Sequence, residues 1–193
     1  MNLLKGTLPH PGPQTSEPPE EESDSLAPYT VQVTLVGTAD LLLNRWNESQ
    51  DSLESRVHRD SSGELCLPGE SLRLAIIQAS RFRPVFAPIG MTPRELLNAA
   101  LLTLTPLASL GVTRWDYEHR SRVRDQGRFL TRVRPALRAG WRATIRLQGN
   151  LPQFVPGELL YQLTRTAGCL GGVGDFRPTF GRFDVAQFEI LAP

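Results

Sequence analysis

From Tyr29 the chain alternates: Val31, Val33 and Leu35 are apolar, whereas Thr30, Gln32 and Thr34 are polar. This is the two-residue period of a strand with one covered face, and Gly37 closes it. Residues 44 to 66 lose the pattern and form a polar insertion, longer than a compact domain tolerates without a functional reason. From Glu70 the period changes. Leu72, Ala75, Ile76 and Ala79 lie on one face of a helix predicted to run to about Phe82, with Pro68 and Gly69 at its entry. Thr92, Pro93, Arg94 and Glu95 make a capping box with proline at the first helical position, so Leu96 to Leu104 reads as a short helix passing into a strand. Trp141, Ala143, Ile145 and Leu147 then alternate with Arg142, Thr144, Arg146 and Gln148, a strand with arginine on its open face. Pro156 opens a further helix with Leu159, Leu160, Leu163 and Ala167 inward and Gly168 past its end. A glycine-rich loop, Gly171 to Gly181, leads to a last strand from Arg182 to Leu191. Its inward parity changes between Val185 and Ala186, which predicts a bulge.

The order strand, helix, strand, strand, helix, strand predicts an α+β fold with a ferredoxin-like, RRM-related βαββαβ core. Large insertions follow the first strand and precede the third, and the helices should cover one sheet face only. Residues 1–28 hold six prolines and five acids against Lys5, with little to bury, and are predicted to be a disordered Pro/Glu-rich tail. Residues 29–193 are the folded domain.

The bulk charge of +1 over 193 residues says little, but its distribution says more. The first 28 residues carry a net of −4, and every cation after them is an arginine. No lysine is therefore placed for a Schiff base or a phosphate-binding loop. Between residues 111 and 147 ten arginines (Arg114, Arg120, Arg122, Arg124, Arg128, Arg132, Arg134, Arg138, Arg142 and Arg146) face three acids, a net of +7. That is the electrostatic footprint of nucleic-acid binding, since arginine pairs bidentately with phosphate. The open strand face shows Arg142, Thr144 and Arg146 rather than aromatics, which favours backbone tracking over base stacking on the sheet. Trp115, Tyr117 and Trp141 read as packing residues. Cys66, Cys169 and three histidines make no repeated zinc framework, and the first residues do not read as an export signal. The thiols are expected to be reduced, and the protein cytoplasmic and without a membrane span.

Two motifs remain. The glycine loop (Gly171, Gly172, Val173, Gly174, Asp175, Phe176, Arg177, Pro178, Thr179, Phe180, Gly181, Arg182) follows a helix and precedes a strand, the reverse of a dinucleotide site. Its exposed amides and Arg177 and Arg182 suit phosphate contact, and close packing is the alternative reading. The second motif, Leu67, Pro68, Gly69, Glu70, Ser71, Leu72, Arg73, opens the first helix. This run resembles the first-helix signature of the RAMP superfamily (repeat-associated mysterious proteins), and the glycine loop resembles its C-terminal hallmark. The similarity is strongest to backbone subunits of class 1 CRISPR effector complexes, and one departure is Glu70 where a small residue is common.

The resemblance implies a non-catalytic RNA-binding subunit that coats a guide RNA as a filament for antiviral defence. Its partners would be guide RNA, complementary target nucleic acid, other copies of itself and other effector subunits. Ser71 and Arg73 would touch guide phosphates together with Gly171, Gly172, Gly174, Arg177, Arg182 and the arginine segment, and no cofactor is needed. The resemblance also carries an enzymatic alternative. Asp51 or Glu54 would hold a magnesium ion for target cleavage, as an aspartate does in cleaving subunits, or His58 or His119 would act as acid or base in processing a guide precursor. A viral or mobile-element nucleic-acid-binding protein of the same fold is a third reading.

Overall fold

The alternation that begins at Tyr29 becomes β1 (Tyr29–Gly37) in the computed structural model, which describes residues 27–46 and 52–191. The predicted acidic tail lies outside the described residues up to residue 26, as does Asp51. Val31, Val33 and Leu35 are fully buried, as their period requires. Fully burying a side chain of this size contributes roughly 1.5–3 kcal/mol.

The chain is a mixed α+β structure with antiparallel sheets. After β1 come β2 (Leu41–Leu42), β3 (His58–Arg59) and β4 (Leu65–Pro68), then α1 (Gly69–Ala79), α2 (Pro93–Ala100) and β5 (Leu101–Thr103). These are followed by β6 (Leu107–Ser109), β7 (Tyr117–Asp125), β8 (Arg128–Leu137), β9 (Arg142–Gly149), α3 (Gly157–Thr166) and β10 (Phe183–Leu191). The main sheet has the order β10-β1-β9-β5, and every neighbouring pair is antiparallel. α1 and α3 pack on the face lined by Val31, Val33, Leu35, Ala143, Ile145 and Leu147. The opposite face stays polar: Thr34 and Thr144 share a hydroxyl contact of 3.1 Å, and Arg146 Nε donates to Gln32 Oε1 at 2.9 Å.

The local signals hold in detail. Thr92 Oγ1 accepts from Glu95 N at 3.2 Å while Glu95 Oε2 accepts from Thr92 N at 2.8 Å, the reciprocal capping box, and α2 passes directly into β5. Thr34 pairs with Gln187 and Leu35 with Val185, so Ala186 is the extra residue of the predicted bulge. Trp141 is buried, and its Nε1 donates to Ala39 O at 2.9 Å, a core position as expected. Cys66 and Cys169 are unpaired thiols.

Three boundaries move. The insertion is shorter than residues 44–66 because Leu65 and Cys66 are buried in β4, whose apolar run is too brief to stand out as a strand. The first helix stops at Ala79 rather than Phe82, where the Ser80 hydroxyl donates to Ile77 O at 2.7 Å. Gly168 does not terminate α3, because the chain continues through a π-helical turn over Ala167–Gly171. A Cβ on Gly168 would lie 2.2 Å from Phe183 O, so this glycine is needed for contact with β10. The left-handed residue that ends the helix is Gly172, at φ 79°.

Candidate nucleic-acid interface

The two motifs meet, although about a hundred residues separate them. Pro68 precedes α1 in extended conformation and sets Ser71 in its first turn, beside the loop that leaves α3. That loop is bent inward by Gly172, Gly174 and Gly181, all with φ between 73° and 79°. At Gly174 a side chain has no room, since a Cβ would stand 2.7 Å from Leu41 Cδ1 and from Leu42 O. Asp175 N donates to Leu42 O at 3.0 Å and Gly181 N to Asp40 O at 2.7 Å, so the loop is stitched to the segment leaving β1. The outcome is a niche of about 130 Å³ in which Pro68 and Ser71 face Gly174 and Asp175, with Asn44, Arg56 and His58 from the insertion at its side.

Within the arginine segment β7 and β8 form a hairpin, joined by β2 only at its root and turned by Gln126 and Gly127, both at positive φ as a tight hairpin requires. Its root is anchored to the glycine loop. Arg134, whose side chain is 4% exposed, donates from Nε to Asp175 Oδ2 at 2.7 Å and from Nη1 to Val133 O at 3.0 Å. His119 places its ring edge-on to Phe180, with centroids 4.7 Å apart, and to Phe176 at 6.1 Å; its Nε2 is 2.6 Å from Ser121 Oγ. Tyr117 donates to Asp40 Oδ2 at 2.6 Å, and burial, then that bond and the carboxylate charge, push the phenol up to about 12. Toward the tip Arg120, Arg122, Arg124, Arg128 and Arg132 are exposed, and Arg122 stacks over the Phe129 ring at 4.3 Å.

The fold claims two of the predicted contacts for itself. Arg134 is buried in its pair with Asp175, and Arg73 is largely withdrawn from the surface. Arg73 donates to Leu101 O at 2.7 Å, Asn98 O at 2.9 Å and Glu70 Oε1 at 2.7 Å, tying α1 to the α2–β5 junction. Glu70, the departure from the family pattern, serves this bracket and also accepts from Thr103 Oγ1 at 3.2 Å. Gly172 is buried, whereas Gly171 has open space around a Cβ.

Other candidates are dispersed. Arg142 and Arg146 stand on the open face of the main sheet, and Arg114 lines a separate hollow with Glu54 and Arg59. Arg177 lines a cleft of about 510 Å³ between α1 and the glycine loop, and Arg182 is exposed just before β10.

Both carboxylate oxygens of Glu54 accept from Arg59, one from Nε and the other from Nη2 at 3.1 Å, and these bonds hold its pKa below the usual carboxylate range. Among the described residues no group of three or more His, Cys, Asp and Glu is arranged to hold a metal ion. His58 is half-buried at the niche, and burial, then the charge of Arg45, lowers its pKa from the ordinary 6.5. The pattern of the sequence missed Arg56. Burial lowers its pKa, and the charges of Arg134 and Arg132 lower it further. Its only sequence signal is a position in an unusually long polar insertion.

No protein-family model matches the chain, and no curated protein matches it. Solved structures do. A chain in the cryo-EM structure of the type III-B Cmr-beta bound to cognate target RNA matches over 86% of this chain, at 10% identity and a TM-score of 0.55. The fold is similar to that of this Cmr-beta chain. Cmr6 from Pyrococcus furiosus, known from a crystal structure, matches over 83% of this chain and 99% of its own, at 9% identity and a TM-score of 0.50. The chain spans 62% of the length of the Cmr-beta chain it matches. Among the described residues no helix is long and apolar enough to cross a membrane.

Proposed function

We propose that this RAMP-like chain is an RNA-binding subunit of a CRISPR effector ribonucleoprotein, a cytoplasmic backbone component that coats guide RNA in repeated copies and does not itself cleave. The observation that carries the reading is the joining of three distant sequence features into one surface. The first-helix motif and the glycine loop share a niche, and Asp175 of that loop holds the root of the arginine hairpin. A phosphate backbone passing the niche meets Ser71 there and, beyond it, the exposed hairpin arginines Arg120, Arg122 and Arg124. The strand order β10-β1-β9-β5, with α1 and α3 on one face, supports a ferredoxin-like core for residues 29–193, with residues 1–28 as a separate acidic tail. Complementary target RNA and other effector subunits are the further partners on this reading. Capture of Glu54 by Arg59 favours the non-catalytic form over cleavage through that carboxylate.

Fluorescence anisotropy with single-stranded RNA tests it. Replacing Arg120, Arg122 and Arg132 together by alanine should weaken binding and flatten its salt dependence, the log-log slope falling by about 0.7 for each phosphate no longer neutralised, or about 2 for the triple variant. An unchanged slope removes the hairpin from the interface, and absence of binding by the parent at low salt refutes the function.

A further inference from the structure

Gly171 is a glycine that the fold itself does not need. Its φ lies outside the left-handed region, and a Cβ built on it would meet nothing within 4 Å. Among the described residues every other glycine has either a left-handed φ or neighbouring atoms that a Cβ would strike. Glycine in helical backbone costs about 0.5–1 kcal/mol relative to alanine, and Gly171 closes the π-helical turn. Its bare backbone lines the cleft of about 510 Å³ between α1 and the glycine loop, a volume typical of small-ligand sites. Ala75, Ala79 and Phe82 form one wall, a helical face of α1 continued past its end, and Leu170 of the π turn adds a second apolar surface. Phe82 is 61% exposed and Leu170 47%, so this surface is uncovered.

The charge of the cleft is positive and is not spent within the chain. Arg81 and Arg177 line it, and both are exposed. Among the described residues the Arg81 guanidinium has no ion pair or hydrogen bond, and that of Arg177 reaches only the neutral Gly172 O, at 3.5 Å. The carboxylate in the lining is already occupied: Asp175 Oδ2 accepts from Arg134 Nε at 2.7 Å and Oδ1 from Phe176 N at 3.0 Å. An exposed phenyl ring beside two unspent guanidinium groups is the combination that holds a nucleotide, the ring taking the base by stacking and the arginines taking the phosphate. Gln78, exposed in the same lining, offers an amide donor and acceptor to a base edge. A bare anion leaves the apolar wall uncovered, and an aliphatic ligand leaves the arginines unanswered. Position agrees, because Gly174 and Asp175 line both this cleft and the niche that holds Ser71.

We propose that the cleft between α1 and the glycine loop is a nucleotide pocket, in which one base lies against Phe82 and Leu170 while Arg81 and Arg177 hold its phosphate over the bare backbone of Gly171. The nucleotide is a unit of a bound RNA strand or a free mononucleotide, and the recognising chemistry is the same for both. Only the first form rests on the RNA-binding reading.

A full-length Phe82→Trp variant carries the reporter, and the parent gives the background of the native tryptophans. Three probes are titrated: uridine 5′-monophosphate, a twelve-residue oligouridine and an abasic sugar-phosphate strand of the same length. The variant should be quenched beyond the parent by oligouridine and much less by the abasic strand. Quenching by the mononucleotide as well assigns the pocket to free nucleotide, and quenching by the oligomer alone assigns it to RNA. In calorimetric titration Phe82→Ala should bind the quenching probe about tenfold more weakly, within the range for loss of one stacked base, with a far smaller loss on the abasic strand. Arg81→Gln combined with Arg177→Gln should weaken oligouridine and the abasic strand alike, the log-log salt slope falling by about 1.4 for two phosphate contacts. Phe82, Arg81 and Arg177 are exposed, so these variants should melt like the parent. Four results overturn the pocket: no quenching by either nucleotide probe, Phe82→Ala binding the quenching probe within twofold of the parent, equal losses on oligouridine and the abasic strand, or quenching by an acidic peptide spanning residues 14–28 in place of both nucleotide probes. Each leaves the salt-dependent RNA binding of the parent intact, whereas a parent that binds no RNA refutes the functional reading and leaves the mononucleotide titration to decide the pocket.

Discussion

The bond between Arg134 and Asp175 joins the hairpin to the glycine loop, and its two ends differ in a way that fixes the order of two mutational costs. Arg134 has a side chain 4% exposed; Asp175 is 31% exposed and also accepts from Phe176 N at 3.0 Å. Asp175→Ala leaves a buried guanidinium with one remaining acceptor, Val133 O. Removing one partner of a buried pair in this manner costs about 3–5 kcal/mol. Arg134→Met removes the buried charge and keeps most of the packing, while the carboxylate turns to water and retains its amide donor; about 1–2 kcal/mol is expected, the range for a missing charge-assisted bond with an accessible partner. With a urea m-value of about 2 kcal/mol/M, the midpoints fall by about 1.5–2.5 M and 0.5–1 M respectively. In the Arg134→Met background, Asp175→Ala should be almost neutral, because the stranded charge no longer exists. Urea unfolding followed by circular dichroism reads all four proteins. An Arg134→Met variant less stable than Asp175→Ala, or a double variant with the two costs added, refutes the claim that the pair is a buried clamp on the arginine.

The glycine loop separates packing from contact. Gly174→Val should lower the melting temperature sharply because of its left-handed φ and its approach to Leu41 and Leu42, whereas Gly171→Val should melt like the parent and report in RNA binding alone. Gly168→Ala should destabilise by about 1–3 kcal/mol in urea unfolding, since its methyl group collides with Phe183 O. His58 has its folded pKa below the ordinary 6.5, so the stability it contributes is fully present above that value and is lost as pH falls through the folded value. An unfolding series from pH 7.5 to 5 should therefore slope less in His58→Gln than in the parent, and identical slopes would count against the burial of its neutral ring.

Legibility depends on whether a signal is periodic. The alternation of β1 and β9, the capping box of α2 and the bulge at Ala186 each follow from neighbours within a few residues, so each can be read in one dimension. The niche cannot. Ser71 and Gly174 meet only because α1 and α3 pack side by side on the main sheet, and no spacing along the chain records that. Gly168 is misleading for a related reason: a glycine after a helical run looks the same whether it turns the backbone or clears space for a strand more than a dozen residues later.

With every cation of the folded domain an arginine, the sequence offers no means of dividing structural from binding arginines, and the division follows from the acceptors within reach. Arg73 faces two carbonyls and Glu70, and Arg134 faces Asp175 and a carbonyl, so both are absorbed by the fold. On the hairpin the cross-strand neighbours of Arg120, Arg122 and Arg124 are Val133, Thr131 and Phe129, none of which carries a charge. A two-stranded ribbon gives each side chain few other neighbours, and the sequence-adjacent Glu118 reaches Arg120 at a surface distance of 3.2 Å. Like charges on alternate positions of one strand face repel, which disfavours the free hairpin; a polyanion laid along that face removes the repulsion and releases counterions as it binds. The same residues that weaken the ribbon alone are thereby the ones that give it affinity for a phosphate backbone, and their alternation along β7 sets the line on which that backbone would run.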